Sequence, residues 1–174
     1  MAPATDCPSG LFQFRPVERK DEALLADWLR RPHVAEWFPG TETQLASIIK
    51  HLNDDWIRVS IVSLGGRDVG YLQCYEADRE PSGSWQDQPA GTRGTDQFLA
   101  EADMLGRGIG TAMLRQVVDE LFGEPETTRI ITDPDTANGR AIRCYEKAGF
   151  RQVGPVVKPW GTILLMAQDR PQKN

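Results

Sequence analysis

The chain of 174 residues is poor in the residue types that build metal centres and disulfide frameworks. It has two histidines and three cysteines, Cys7, Cys74 and Cys144. The cysteines are odd in number and widely spaced, and none belongs to a CxxC or Cys/His cluster. The sequence therefore predicts neither a zinc site nor a disulfide, and we expect no metal. Unpaired cysteines make a reducing cytoplasm the expected compartment.

The sequence also lacks a long apolar run, an apolar leader and a basic run. Its first residues, MAPATDCPSG, are polar and contain Pro and Gly, so we expect a flexible segment over residues 1–10 and no signal peptide. No run approaches the ~20 apolar residues of a membrane-spanning helix, so no membrane partner is expected. A net charge of −5 disfavours nucleic acid as a partner and is compatible with a cationic ligand.

The composition is that of an ordinary globular protein. Hydrophobic residues make up 40% and charged residues 26% of the chain, which argues against disorder. A chain of this length can bury a core of its own, and we expect one domain over residues 1–174.

Hydrophobic periodicity predicts alternating strands and helices. The predicted strands are 11–17, 59–64, 69–77, 93–103, 128–133, 150–154 and 162–168. The predicted helices are 20–31, 42–54, 108–122 and a last one that is capped by Asp135 or Thr136 and ends at Lys147. Residues 78–92 form a long polar loop, of a length that is often functional. This order predicts a mixed α/β fold, with one central sheet and helices on both of its faces.

Three glycines stand where a predicted strand gives way to a helix: Gly106, Gly108 and Gly110 in LGRGIGT. A glycine-rich turn at a helix N-terminus exposes backbone N–H groups at the positive end of the helix dipole. The turn therefore predicts an anion site suited to a pyrophosphate. Such turns bind many phosphates, so this motif does not identify the ligand.

Longer strings carry a resemblance to a known family. WLRRPHVAEWF, GYLQCY, RGTDQ, LGRGIGT and TDPDTANGRAIRCYEKAGF resemble the aminoglycoside 6'-N-acetyltransferases of the GNAT superfamily, over about residues 24–169. The resemblance implies a mostly antiparallel sheet of six to seven strands that splays at an acetyl-CoA site. It implies transfer of an acetyl group from acetyl-CoA to the 6'-amine of an aminoglycoside by direct attack in a ternary complex, which confers antibiotic resistance. A monomer or a homodimer is expected.

The same resemblance implies the site residues. Two are implied to be catalytic: Asp96, which holds and deprotonates the amine, and Tyr145, which lies near the thioester sulfur. The other implied substrate-binding residues are Gln73, Tyr75, Trp85 and Asp133, and Asp96 belongs to this group too. The implied residues of the acetyl-CoA site are Met104, Leu105, Gly106, Arg107, Gly108, Ile109, Gly110, Thr111, Asn138, Arg140, Ala141 and Tyr145. An oxyanion-binding backbone N–H is expected near residues 102–105.

The residues also allow plainer interpretations. Asp96 lies in a strand that otherwise alternates with apolar residues, which is unusual for a solvated acid, but a solvent-facing position at a sheet edge is an alternative. Asp133 is followed by Pro-Asp, so a role in starting a helix is an alternative. Tyr145 lies on an apolar stripe with Ala141 and Ala148, which is compatible with a core position.

Two departures from the family concern the substrate side. The segment before Trp85 lacks an acidic residue that relatives have, and Trp160 stands where they have another. Other functions that we weighed are a siderophore-type lysine N-acyltransferase, another small-molecule amine acetyltransferase, a protein N-terminal acetyltransferase and a CoA-sensing module. The lysine enzymes carry His where this chain has Asp96, so Asp96 favours the antibiotic enzyme.

Overall fold

The computed structural model describes residues 11–172, and both Cys7 and the segment expected to be flexible lie outside this range. The strands are β1 (Phe12–Pro16), β2 (Ile57–Leu64), β3 (Arg67–Glu76), β4 (Thr92–Leu99), β5 (Arg129–Thr132), β6 (Arg151–Lys158) and β7 (Gly161–Asp169). The helices are α1 (Glu22–Arg30), α2 (Pro32–Ala35), α3 (Thr41–Lys50), α4 (Ile109–Gly123) and α5 (Gly139–Ala148).

All seven strands form one sheet in the order β1-β2-β3-β4-β5-β7-β6. Each neighbouring pair is antiparallel except β4 and β5, which are parallel. Residues of α1, α2 and α3 belong to the hydrophobic core on one face, and residues of α4 and α5 belong to the core on the other. The predicted mixed, mostly antiparallel sheet with helices on both faces is confirmed.

The two parallel strands separate soon after they meet. They pair only through Thr92–Arg129, Arg93–Ile130 and Gly94–Ile131, yet β4 continues to Leu99 with β3 as its only strand neighbour. The sheet is therefore splayed beyond Gly94, as the family resemblance predicts. One side of the last half of β4 faces a gap in the sheet.

Apolar spacing and proline explain the helices beside this gap. Leu25, Trp28 and Leu29 lie on one side of α1 and are almost completely buried. Pro32 ends α1 but starts the short helix α2, because proline at a first helical position needs no N–H partner. The predicted helix over 20–31 corresponds to α1, whereas α2 was not predicted.

Several predicted boundaries are wrong. β4 ends at Leu99 instead of continuing to 103, and the chain enters a 3-10 turn at Ala102–Met104. α5 is capped by Asn138, whose Oδ1 accepts the Ala141 N–H at 3.1 Å. The expected cap Asp135 instead accepts the Ala137 N–H at 2.8 Å in the preceding turn. Strand β6 extends to Lys158, past the Gly154-Pro155 pair at which the prediction stopped.

Gln116 of α4 binds the backbone of the outermost strand β1. Its Oε1 accepts the Phe12 N–H at 3.0 Å, and its Nε2 donates to the Phe12 carbonyl at 2.8 Å. We predict that Gln116→Ala lowers the free energy of unfolding by about 1–3 kcal/mol, because both Phe12 groups lose a buried partner. Gln152→Ala, which removes an exposed bond to Glu146, is the control for thermal unfolding. Equal melting temperatures for the two variants would contradict the role of Gln116.

Candidate active site

A cavity of about 360 Å³ lies at the splay. Its walls are the end of β4, the glycine turn with the start of α4, one side of α5, and α2 with the residues after it. Ten of the twelve residues expected to bind acetyl-CoA line this cavity: Met104, Leu105, Gly106, Gly108, Gly110, Thr111, Asn138, Arg140, Ala141 and Tyr145. The other two differ: Arg107 is exposed, and Ile109 packs towards the core beneath α4.

The glycine turn has the geometry of an anion site. Gly106 and Gly108 have φ of +70° and +80°, a conformation that favours glycine. A Cβ atom added to either would meet nothing within 4 Å, so their open faces lie towards space that a ligand can fill. Gly108 is the N-cap of α4 and offers no side-chain cap, which leaves the first N–H groups of the helix for an anion.

Gly110 has a different reason to be glycine. An added Cβ would lie 3.3 Å from the Cys144 sulfur, so this residue allows α4 and α5 to approach each other. Cys144 lines the cavity beside it and lies 3.4 Å from the Thr111 hydroxyl. Burial raises the pKa of the Cys144 thiol, which keeps it protonated and poorly nucleophilic.

Tyr145 lies at the inner end of the cavity. Its hydroxyl accepts a hydrogen bond from Gln97 Nε2 of β4, and its ring packs edge-on against Phe150. Burial raises the pKa of Tyr145 well above its usual range, so the phenol stays protonated and its hydrogen can be donated. Tyr145, which is 6% exposed, therefore packs in the core and can also donate its hydroxyl hydrogen.

The edge of β4 supplies backbone groups to the same cavity. The Ala100 N–H donates to the Val69 carbonyl on β3 at 2.8 Å. Because backbone groups alternate along a strand, those of Gln97 and Leu99 point away from β3 into the gap. His33 Nε2 lies 3.1 Å from the Leu99 carbonyl and so closes part of this edge. The N–H groups of Gln97 and Leu99 remain directed at the cavity.

This edge offers a second position for the oxyanion donor, and the expected position near residues 102–105 stays a prediction. Within residues 102–105, Met104 N–H already donates to Glu101 and Leu105 N–H to Ala102, at 3.1 and 3.2 Å. The expectation assumed a strand that continues to 103. Since β4 ends earlier, its N–H groups at Gln97 and Leu99 are the better placed donors.

Two acids, one on β4 and one after β5, lie together on one face of the sheet. Asp96 accepts a hydrogen bond from Gln73 Nε2 at 2.8 Å, across the β3–β4 pair, and Gln73 in turn accepts one from the Tyr71 hydroxyl at 2.8 Å. Asp133, the residue after β5, contacts the Asp96 carboxyl. Asp96 therefore lies on an interior strand and not on a solvent-facing sheet edge, and Asp133 caps no helix.

The two carboxyl groups are held in an unfavourable state. Burial raises the pKa of Asp96. Burial and the neighbouring Asp96 charge raise the pKa of Asp133 well above its ordinary value. Such a pair favours a shared proton or a bound cation over two free charges. A protonated amine is therefore a suitable ligand, and a carboxylate with a raised pKa is a suitable base for it.

Aromatic side chains form the wall beside these acids. The Tyr75 ring covers Gly94 so closely that an added Cβ would lie 2.0 Å from Tyr75 Cζ. The Trp85 indole N–H is placed to donate to the Tyr75 hydroxyl, and both residues are 6% exposed. The structure thus brings together all the expected substrate residues.

Some residues of the site were missed by sequence reasoning. Lys158 Nζ lies 4.6 Å from the centroid of the Trp85 ring, and its charge lowers the pKa of Asp133. Glu80, in the loop before Trp85, was not predicted to belong to the site, and it lies close enough to raise the pKa of Asp133. Nothing in the local sequence marked either position as part of the site. Trp160, one of the two departures from the family, is 75% exposed.

Within residues 11–172, no three His, Cys, Asp or Glu side chains are grouped to hold a metal ion. No helix in that range is long and apolar enough to cross a membrane.

Because the two carboxyl groups are unfavourable to ionise in the folded protein, replacing one of them is predicted to raise the stability of the fold. Because folding raises the pKa of Asp133, the folded state holds a proton that the unfolded state has lost, and stability falls as pH rises through this interval. Asp133→Asn should therefore melt higher than wild type at neutral pH, by about 2–4 °C per kcal/mol relieved. The difference should shrink in mild acid, where the pair is protonated. Exposed Asp135→Asn is the control, and a lower melting temperature for Asp133→Asn would refute the interpretation.

Comparison with known proteins supports this geometry. Residues 18–158 match the family model described as an acetyltransferase (GNAT) domain. The chain is 42% identical to aminoglycoside N(6')-acetyltransferase type 1 of Klebsiella pneumoniae over 164 residues, which cover 90% of this chain and 82% of that protein. It is 29% identical to the lysine N-acyltransferase MbtK of Mycolicibacterium paratuberculosis over 164 residues, 92% of this chain and 74% of that one.

A solved structure of AAC(6')-Ib in complex with paromomycin and acetyl-CoA superimposes with a TM-score of 0.83 at 41% identity. The match covers 91% of this chain and 93% of that one. The chain therefore belongs to the GNAT acetyltransferase family and, within it, to the aminoglycoside 6'-N-acetyltransferases.

Proposed function

We propose that this enzyme transfers the acetyl group of acetyl-CoA to the 6'-amine of aminoglycosides and so confers resistance to them. The observation that carries the proposal is the position of β4 between two sites. Its edge faces the cavity at the glycine turn, and its Asp96 side chain forms the acid pair with Asp133. A thioester along the edge and an ammonium group at Asp96 would meet across one strand.

The donor site follows from the cavity. The pyrophosphate of acetyl-CoA would accept hydrogen bonds from backbone N–H groups of the turn at Gly106–Thr111. The pantetheine arm would run along the gap between β4 and β5. The Oδ1 of Asn138 caps α5, so its amide nitrogen is the group that would donate to the arm. Arg140 and Lys147, which also line the cavity, would contribute positive charge.

The reaction then needs no covalent enzyme intermediate. Asp96 accepts a proton from the 6'-ammonium group, and the neutral amine attacks the thioester carbon. An N–H of Gln97 or Leu99 stabilises the developing oxyanion. The C–N bond forms and the C–S bond breaks. The leaving thiolate takes a proton from Tyr145, and the second proton released by the nitrogen passes through solvent to restore the phenol. Cys144, a half-buried thiol in hydrogen-bond contact with Thr111, has no part in this scheme.

Lysine acylation is the second candidate, since the chain also resembles MbtK over most of its length. The half-buried pair of acids favours a polycationic acceptor, because two adjacent carboxylates suit more than one ammonium group. We place the enzyme in the cytoplasm, where free thiols stay reduced. Either a monomer or a homodimer agrees with the site, since one chain supplies all of the side chains named above.

A thiol-release assay with acetyl-CoA tests the proposal. Kanamycin and other aminoglycosides with a 6'-amine should release CoA, whereas analogues with a 6'-hydroxyl should not. Mass spectrometry should show one added acetyl group, and NMR should place it at the 6' nitrogen. Turnover of lysine derivatives without turnover of the antibiotics would overturn the assignment in favour of the second candidate.

Asp96→Asn should lower kcat by about 10²–10⁴-fold, the usual effect of losing a general base, with little change in acetyl-CoA affinity. The variant keeps the hydrogen bond to Gln73 and loses only charge and basicity. Asp133→Asn should act mainly on KM for the antibiotic, because Asp133 holds an ammonium group that does not react. Near-normal kcat for Asp96→Asn together with loss of kcat for Asp133→Asn would reverse the two roles.

Gly108→Val should weaken acetyl-CoA binding by about tenfold or more, equivalent to about 1.4 kcal/mol, by filling the anion site. Gly66→Val is a matched control, because Gly66 has φ of +79° and open space around its Cβ position, in the β2–β3 turn. Both variants should lose similar stability. Equal acetyl-CoA affinity in the two folded variants, measured by calorimetry, would show that the turn does not bind the cofactor. Gly110→Val is unsuitable for this test, because its side chain would also crowd the Cys144 sulfur.

A further inference from the structure

Lys158 brings a positive charge into the cleft that holds the acid pair. Its Nζ atom lies 4.6 Å from the centre of the Trp85 ring, close enough for a cation–π contact. Trp85 is buried, and its indole N–H is placed to donate to the Tyr75 hydroxyl. Lys158 is itself only half-buried, so its ammonium group lies at the mouth of the cleft and is accessible to a ligand.

The β6–β7 hairpin holds the Lys158 backbone in this position. Val156 pairs with Ile163, and Lys158 pairs with Gly161 two residues further along. Val156 packs against the core that includes Tyr75 and Trp85. Because side chains alternate along a strand, Lys158 points to the same face as Val156. The lysine is therefore positioned by the sheet and not by a flexible terminus.

The same hairpin lies beside the segment that carries Asp133. Ile163 of β7 forms a bridge with Asp135, and the Leu164 N–H donates to the Pro134 carbonyl at 2.8 Å. Lys158 is close enough to Asp133 for its charge to act on that carboxyl. The charged groups around Asp133 are thus Asp96 from β4, Glu80 from the loop before Trp85, and Lys158 from β6.

We propose that Lys158 is a specificity-determining residue that competes with a substrate ammonium group for the acid pair. The inference rests on the proposed function, because it concerns the acceptor side of that same site. Without an acceptor, Lys158 partly neutralises the acids. A polycationic acceptor must share the acids with this lysine or displace it. Lys158 therefore weakens the binding of acceptors with many ammonium groups most strongly.

The charge of Lys158 and its packing against Trp85 predict opposite effects of Lys158→Met on KM for the acceptor. Lys158→Met keeps an unbranched apolar stem against Trp85 but removes the charge. If competition dominates, KM for an aminoglycoside falls by about three- to tenfold in low salt, the effect of removing one nearby like charge in a partly screened site. If the lysine only supports Trp85, or donates a hydrogen bond to the acceptor, KM rises instead.

The experiment compares wild type, Lys158→Met, Lys158→Arg and Lys50→Met by steady-state kinetics with kanamycin A and with tobramycin, which has one more amino group. Lys50 lies at the exposed end of α3, and its substitution makes the same change in net charge. We expect a lower KM only in Lys158→Met, a larger decrease for tobramycin than for kanamycin A, little change in kcat, and a smaller effect at high salt. Lys158→Arg should retain the wild-type KM.

The outcomes separate this inference from the proposed function. No acetylation of either antibiotic by wild-type enzyme would refute both. Normal acetylation by wild type, with an unchanged or higher KM in Lys158→Met, would refute the role of Lys158 alone. An equal decrease of KM in Lys50→Met would show that overall charge, and not the position of Lys158, sets the affinity.

Discussion

The separation of β4 from β5 beyond Gly94 is the constraint on which the rest of the site depends. Two parallel strands that stayed paired would use the backbone of Gln97 and Leu99 in the sheet. Because they part after three residue pairs, that edge is directed into a cavity instead. The same separation leaves Asp133, at the end of β5, on the face where Asp96 projects. One break in the sheet thus creates a donor site and an acceptor site on either side of β4.

The two carboxyl groups on the acceptor side lower the stability of the folded protein. Burial raises the pKa of both carboxyl groups, and the Asp96 charge raises that of Asp133 further, whereas Gln73 lowers the pKa of Asp96 and Lys158 that of Asp133. A hydrophobic pair at these positions would be more favourable for folding, but it could neither bind an ammonium group nor take its proton. In the free enzyme, a shared proton or the neighbouring Lys158 reduces the repulsion between the two carboxylates. A bound cationic substrate would reduce it in the same way. The ionisable groups therefore favour the ligand that the reaction needs.

Local sequence predicted the donor side well. The glycine turn needs only neighbouring residues, and the spacing from Asn138 to Tyr145 lies within one helix. The acceptor side depends on contacts between distant segments. The proximity of Asp96 and Asp133 follows from a parallel crossover through α4, and the position of Lys158 follows from the β6–β7 hairpin. Hydrophobic periodicity predicted neither of these features. The family resemblance placed Asp96 and Asp133 in one site but did not indicate Lys158. Strand ends were also missed, because the apolar pattern continues past Leu99 while the backbone turns.

A crystal structure of the enzyme with kanamycin and a non-transferable analogue of acetyl-CoA would be the most direct test. If the two sites meet across β4 as proposed, the 6'-nitrogen lies within about 2.6–3.2 Å of the Asp96 carboxylate and faces the thioester position from the side opposite the glycine turn. A different amine at Asp96, or a 6'-nitrogen held at Asp133 and out of reach of Asp96, would contradict the assignment.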